Sequence, residues 1–272
     1  MRHADDLADD ERLAPEQRRE QLQQWLAQWR RTSAGEASED PVFVALRDTQ
    51  QRFRISTELL DELVQGTMMD LAAPGDSKNL ADSVDGEASG IATYRTFEDL
   101  YRYCYLVASV VGLVCIRIFG YRDAGAEKLA EQTGIAFQLT NILRDVREDA
   151  ERGRVYLPLE DMERCGVTVA ELISIRGKRS LTDGERALME MEAARARQYY
   201  RAAEALLPLI SADSRAALWV LVAIYRRLLQ RIESRQYQVF SARVKVPTAE
   251  KLWILLRGLW MAFRLRGAEE SR

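Results

Sequence analysis

The sequence has little of what most metal and redox centres are built from. There is one histidine, His3, in 272 residues, which excludes a multi-histidine metal site. The three cysteines, Cys104, Cys115 and Cys165, are odd in number and lack CxxC spacing. Neither a disulfide framework nor a zinc site is indicated, and a reducing cytoplasm fits. Proline numbers only 6 and glycine 15, so long stretches run without breakers, which favours helix. Neither sign of charge dominates, with 39 basic and 42 acidic residues and a net charge of -3. No basic excess marks nucleic acid as a partner. No uninterrupted apolar run approaches the roughly 20 residues needed to span a bilayer. The first dozen residues are densely charged, unlike a signal peptide. Period-two alternation, the mark of a strand, is missing throughout.

What is present is helical periodicity. Apolar residues recur at helix spacing over 15–31 and 42–71, then over 96–120, 124–150, 183–207, 212–237 and 247–266. Residues 32–41 and 153–158 read as loops, and 72–93, with Pro, Gly, Ser and Asp, as a long one fit to serve as a lid. With no linker and no repeat, the expectation is one all-α domain over 1–272. Several of its helices are apolar on more than one face and hence central. The stretch 251–265 is rich in Leu and Trp but interrupted by Lys251, Arg257 and Arg264. It is expected to pack on the core, with peripheral contact at the inner membrane surface as the alternative.

Three segments carry chemistry. In QLTNILRDVREDAERGRVYLP, Gln138 to Pro158, a rotation of about 100° per residue puts Gln138, Asn141, Asp145 and Asp149 in one narrow stripe. Two amides and two carboxylates among Phe137, Leu139, Ile142 and Leu143 are costly to bury unless paired or metal-bound. The chain opens MRHADDLADD, where Asp5 and Asp9 share a helix face with Arg2. Carboxylate pairs at i, i+4 suit Mg²⁺, a hard cation that prefers oxygen. Asp61 and Gln65 mimic the spacing, but Gln65 is uncharged, so that face reads as surface or cavity lining. The third segment, Tyr94 to Tyr121, sets Ala108, Ser109 and Gly112 along an apolar helix. Small residues there permit close packing or leave room for a long apolar ligand. Tyr103 and Tyr105 offer aromatic faces that stabilise a carbocation.

Together these segments resemble the squalene/phytoene synthase family, from Met1 to about Arg257. NILRDVREDAERGRVYLPLEDM and YCYLVASVVG are the specific pieces; ELVQGTMMDL and IYRRLLQRIESRQYQVFSARVKVP add agreement. The resemblance implies an all-α isoprenoid synthase fold with a central cavity. It also implies a Mg²⁺-dependent prenyltransferase that joins two isoprenoid diphosphates head to head. Asp5 and Asp9 match the first acidic motif and Asp145 and Asp149 the second, with Asn141 among the implied metal ligands. Arg2, Gln138 and Arg144 match polar substrate-binding residues. Tyr103, Val107 and Gly112 match the helix beside the reacting chains, and Tyr237 a tyrosine near the diphosphate end.

The implied mechanism ionises one diphosphate to an allylic cation. The second substrate's double bond attacks it, and proton loss closes a cyclopropane. Two farnesyl diphosphates, giving presqualene diphosphate or squalene, are the leading expectation, because IRIFGY leans that way. Two geranylgeranyl diphosphates, giving phytoene, are the alternative, and NADPH enters only if the reaction continues to squalene. A non-catalytic assembly or scaffold member is a third reading, opposed by the survival of both acidic pairs. The family has several tens of residues before its first motif, whereas here Met1 nearly abuts it. The usual N-terminal helices are therefore expected to be missing, with an apolar face left open for homodimerisation or with activity lost.

Overall fold

The computed structural model describes residues 12–70, 92–175 and 179–270. Arg2, Asp5 and Asp9, and the 72–93 segment up to residue 91, lie outside the described residues.

Proline and side-chain caps set where the helices begin. Helix α1, Pro15–Ser33, has Pro at its first position, and the Gln17 side chain returns to accept from the Ala14 N–H at 3.1 Å. Helix α2, Pro41–Phe53, opens on Asp40, whose carboxylate accepts from the Val42 N–H at 2.8 Å. Arg54 then turns left-handed (φ 52°), and α3, Thr57–Asp70, starts afresh. The single helix expected over 42–71 is thus two. Its break is covered by Arg117, whose Nη1 donates to the Arg54 carbonyl at 2.7 Å.

The two-residue strand β1, Ala92–Thr93, leads into α4, Phe97–Phe119, capped reciprocally by Thr96 and Asp99. α4 is long and apolar enough to cross a membrane by length and composition, a property that counting uninterrupted apolar runs overlooks. Here it is a core helix, with Leu100, Cys104 and Val110 fully buried. Midway, Tyr105–Ser109 winds as a π turn. Two glycines flank it at close range. A Cβ on Gly66 of α3 would lie 2.7 Å from the Leu106 carbonyl oxygen, and one on Gly134 would lie 2.5 Å from Ser109 Cα.

Gly134 belongs to α5, Gly125–Glu151, a 27-residue helix about 40 Å long that forms the centre. After it, β2, Arg154–Val155, pairs in parallel with β1, so the expectation of no strand fails by one short bridge. Two short helices, α6 (Leu159–Arg164) and α7 (Val169–Ile173), were not anticipated. Helices α8 (Asp183–Leu206), α9 (Ala212–Ser234) and α10 (Thr248–Glu270) complete the bundle. α5 packs against α4, α8 and α9, and α10 against α9. The core runs from Trp29 and Phe43 near the start to Tyr200 and Phe240. α10 meets part of its expectation: Ile254 is buried, and Gly258 sits so close to Val220 that no Cβ fits. Its opposite face is open to solvent.

Candidate active site

The polar stripe forms on α5 as its spacing demands. Asn141 donates through Nδ2 to Gln138 Oε1 at 3.3 Å, while its own Oδ1 is buried without a partner. One turn on, Asp145 is held by two arginines. Arg144 donates through Nε at 2.8 Å and more closely through Nη2. Arg243 donates from the far side at 2.9 and 3.1 Å. Burial alone would raise the Asp145 carboxyl, but these hydrogen bonds and charges hold it below its usual range. Asp149, a further turn on, has no such pairing. Burial and then the Asp145 charge push it up to about 7, against the pull of Arg152 and Arg154.

Two residues here were not singled out from sequence. Arg243 lies in the segment after α9 and reaches back 98 positions to Asp145. That segment is pinned by Arg147, whose Nη1 donates to the Phe240 carbonyl at 3.0 Å. Tyr225 on α9 stacks on Phe137 at 4.4 Å and lies near enough to Arg144 to act on its charge. By contrast Tyr237, in left-handed backbone (φ 60°), has its hydroxyl pKa raised by burial and then by Glu233 at the end of α9 and Glu190 on α8, against Arg197. Tyr225 is therefore the tyrosine next to Arg144. The only sequence signal for Arg243 was its place within the matched run SARVKVP.

Tyr103 is buried in an aromatic nest, 5.4 Å from the ring of Tyr94 and 5.0 Å from that of Tyr156. The β1–β2 bridge brings these rings together, since Tyr94 follows one strand and Tyr156 the other. Val107 lies within the π turn and Gly112 a turn beyond it, where a Cβ would stand 3.4 Å from the Ala130 carbonyl. Farther along α4, Val111, Val114 and Cys115 line an apolar cavity of about 210 Å³ with Trp25, Trp29 and Leu60. Tyr105 instead donates to Glu62 at 2.9 Å, and the half-buried Asp61 pairs with Arg30 at 2.8 Å while its Oδ1 is buried without a partner.

Among the described residues no group of three His, Cys, Asp or Glu forms a ready metal cluster. The donor chemistry nonetheless fits a hard cation. Asp145 and Asp149 repel each other, and the orphaned Asn141 Oδ1 stands on the same face. These three supply oxygens only. The other half of the expected set, Asp5 and Asp9, lies outside the described residues.

A long central helix bearing a carboxylate stripe, ringed by apolar helices with almost no strand, is the isoprenoid synthase helical fold. It superposes on a dehydrosqualene synthase with TM-score 0.75 at 31% identity, covering 100% of this chain and 84% of that one. On squalene synthase from Alicyclobacillus acidocaldarius the TM-score is 0.72 at 27% identity, covering 86% and 80%. A sequence model of squalene/phytoene synthase matches residues 1–250, and the chain belongs to that family, a prenyltransferase group. It is 36% identical over 267 residues to phytoene synthase of Arthrospira platensis, covering 93% of this chain and 79% of the relative. With phytoene synthase 3 of Zea mays it shares 35% over 243 residues, 86% of this chain and 52% of that one. The chain thus spans about half the length of the plant relative.

Proposed function

We propose that this chain condenses two geranylgeranyl diphosphates head to head to the C40 hydrocarbon phytoene. The sequence relatives, named phytoene synthases at 35–36% identity, support this over the farnesyl expectation. The observation that carries the reading is the α5 stripe. It sets cations and oxygen donors together at one end of an apolar interior. The farnesyl diphosphate reading is the second, favoured by the two structural neighbours, a dehydrosqualene and a squalene synthase. The paired Asp145 and Asp149 speak against a non-catalytic scaffold.

In this reading Arg144 and Arg243 exchange Asp145 for the diphosphate, which each guanidinium can meet with two parallel N–H donors. Asp145, Asp149 and Asn141 would hold Mg²⁺, which would supply charge neutralisation to the leaving diphosphate. Tyr225 steadies Arg144. The hydrocarbon tails run along α4 into the cavity at Val111 and Cys115, where water is excluded. The stacked faces of Tyr103, Tyr94 and Tyr156 stabilise the allylic cation left when the carbon–oxygen bond breaks. The second substrate's double bond then forms the new carbon–carbon bond, and loss of a proton restores neutrality. A second ionisation, rearrangement and proton loss release the second diphosphate without any hydride. NADPH enters only on the squalene route. The setting proposed is the cytoplasm, at the inner membrane surface.

The test is incubation of the purified chain with Mg²⁺ and each diphosphate, with and without NADPH, followed by mass analysis of the lipid extract. A C40 product from the C20 substrate supports the proposal. A C30 product alone moves it to the second reading. No product and no released diphosphate from either substrate would falsify both.

A further inference from the structure

Helix α10 is two-sided in a way that a free-standing soluble protein does not need. Its inner face holds Ile254 and Gly258 against α9. On its outer face Leu252, Leu256, Leu259, Trp260 and Phe263 are 54–79% exposed, and Trp253 stands at the border at 58%. At about 100° per residue these positions cover one continuous arc of roughly 100°, centred opposite Ile254. Scattered exposed apolar residues are ordinary, but a contiguous stripe of five or six large ones is not.

Two further observations say what covers this stripe. From Lys251 to Gly267 the sequence carries four cations, Lys251, Arg257, Arg264 and Arg266, and no carboxylate. Beside the stripe, sharing Trp253 with it, a groove of about 520 Å³ opens between α9 and α10. Arg226, Arg227 and Arg257 line it, and Arg231 stands behind, holding Glu250 at 2.7 Å. Against these four arginines stand two carboxylates, Glu204 and Glu250, already paired with Arg226 and with Arg227 and Arg231. Arg257 lies 5.3 Å above Trp219 and 5.6 Å above Trp253, with no carboxylate bound to it among the described residues. An apolar stripe with a tryptophan border and a net cationic flank complements a bilayer surface that bears anionic headgroups.

We propose that α10 docks this protein on an anionic phospholipid surface. Its Leu/Trp/Phe stripe lies in the acyl boundary, and the α9–α10 groove receives lipid phosphate at Arg257. The proposal does not rest on the catalytic reading, and its test needs no substrate. The full chain is floated with vesicles of neutral phosphatidylcholine, alone or with 30% phosphatidylglycerol, a composition of about the charge density that polybasic surfaces read. Flotation with the anionic vesicles, weakened at high salt, is expected. The double variant Leu256→Glu/Leu259→Glu should lose at least about tenfold in vesicle affinity with an unchanged circular dichroism melt. Should that variant misfold, Phe263→Glu, at the most exposed position, carries the same expectation. No flotation of the parent chain, or equal flotation of a folded variant, overturns the proposal. So does a parent dimer, by light scattering, that the variant converts to monomer, because the stripe would then be a contact between copies.

Discussion

Two carboxylate clusters lie in this bundle, and they are built on opposite principles. At the Asp145 end of α5, arginines approach from the surface, with Arg243 45% exposed, and Asn141 and Asp149 are left with unused oxygens. Asp161 of α6 and Glu192 of α8 are sealed instead, at 0 and 1% exposure. Arg195 spans both, donating to Asp161 at 2.8 Å and to Glu192 at 2.5 Å, with its guanidinium 4.1 Å over the Phe97 ring. Arg164 closes the outer side at 3.2 Å. The first cluster has partners that approach from the surface; the second has fixed ones, with Glu192 Oε2 left buried and unpaired. In the proposed function, similar side chains thus serve binding in one place and fold specification in the other. Access to water separates the two roles.

The contrast breaks most sharply under substitution. Asp145→Ala should lower turnover by on the order of 10²–10³-fold while the melting temperature barely moves. Steady-state rates beside calorimetry check both halves; an equal loss of stability would make the α5 cluster structural after all. Arg195→Leu is expected to do the reverse, leaving Glu192 with no ion pair and Asp161 with Arg164 alone, at a cost of about 3–5 kcal/mol, read from urea unfolding.

Protonation gives the next effect in size. Burial, opposed by Arg195 and aided by Asp161, pushes Glu192 up to about 7 from an ordinary 4.5. Between those values the folded chain binds more protons than the unfolded one, so stability falls as pH rises through that window. The loss is on the order of 3 kcal/mol. Glu192→Gln should flatten this slope; a profile that keeps its full steepness would remove Glu192 as the cause. The smallest expected change is in packing. Gly66→Ala pushes a methyl against the Leu106 carbonyl and should cost about 1–3 kcal/mol, visible as a lower denaturant midpoint with unchanged slope.

The α5 cluster was legible because its residues are i, i+3 and i+4 neighbours on one helix, where periodicity fixes their common face. Its cross-chain partner was not. Arg243 sits in irregular backbone, and no local rule links it to a residue 98 positions away. Tyr225 and Tyr237 illustrate the same boundary. Both belong to the matched run, and only the turn after α9 decides which of them stands beside Arg144. The break at Arg54 leaves no mark in the sequence because an arginine in left-handed backbone gives no glycine or proline to announce it. The short helices α6 and α7 escaped because five or six residues carry too little periodicity to read. The Asp161–Glu192 cluster escaped for want of an unusual motif.

The π turn at Tyr105–Ser109 sets the phase of α4. A π turn holds one residue more than an α turn of similar rise, so Tyr103 before it and Gly112 after it are indexed to different helical grids. Removing one residue within 105–109 would let the helix close up as regular α. Everything beyond would then keep both its sequence and its facing, with Val111 and Cys115 still on the apolar cavity. The extra residue is therefore absorbed where it stands. A residue lost anywhere else along α4 would instead turn all that follow by about a hundred degrees.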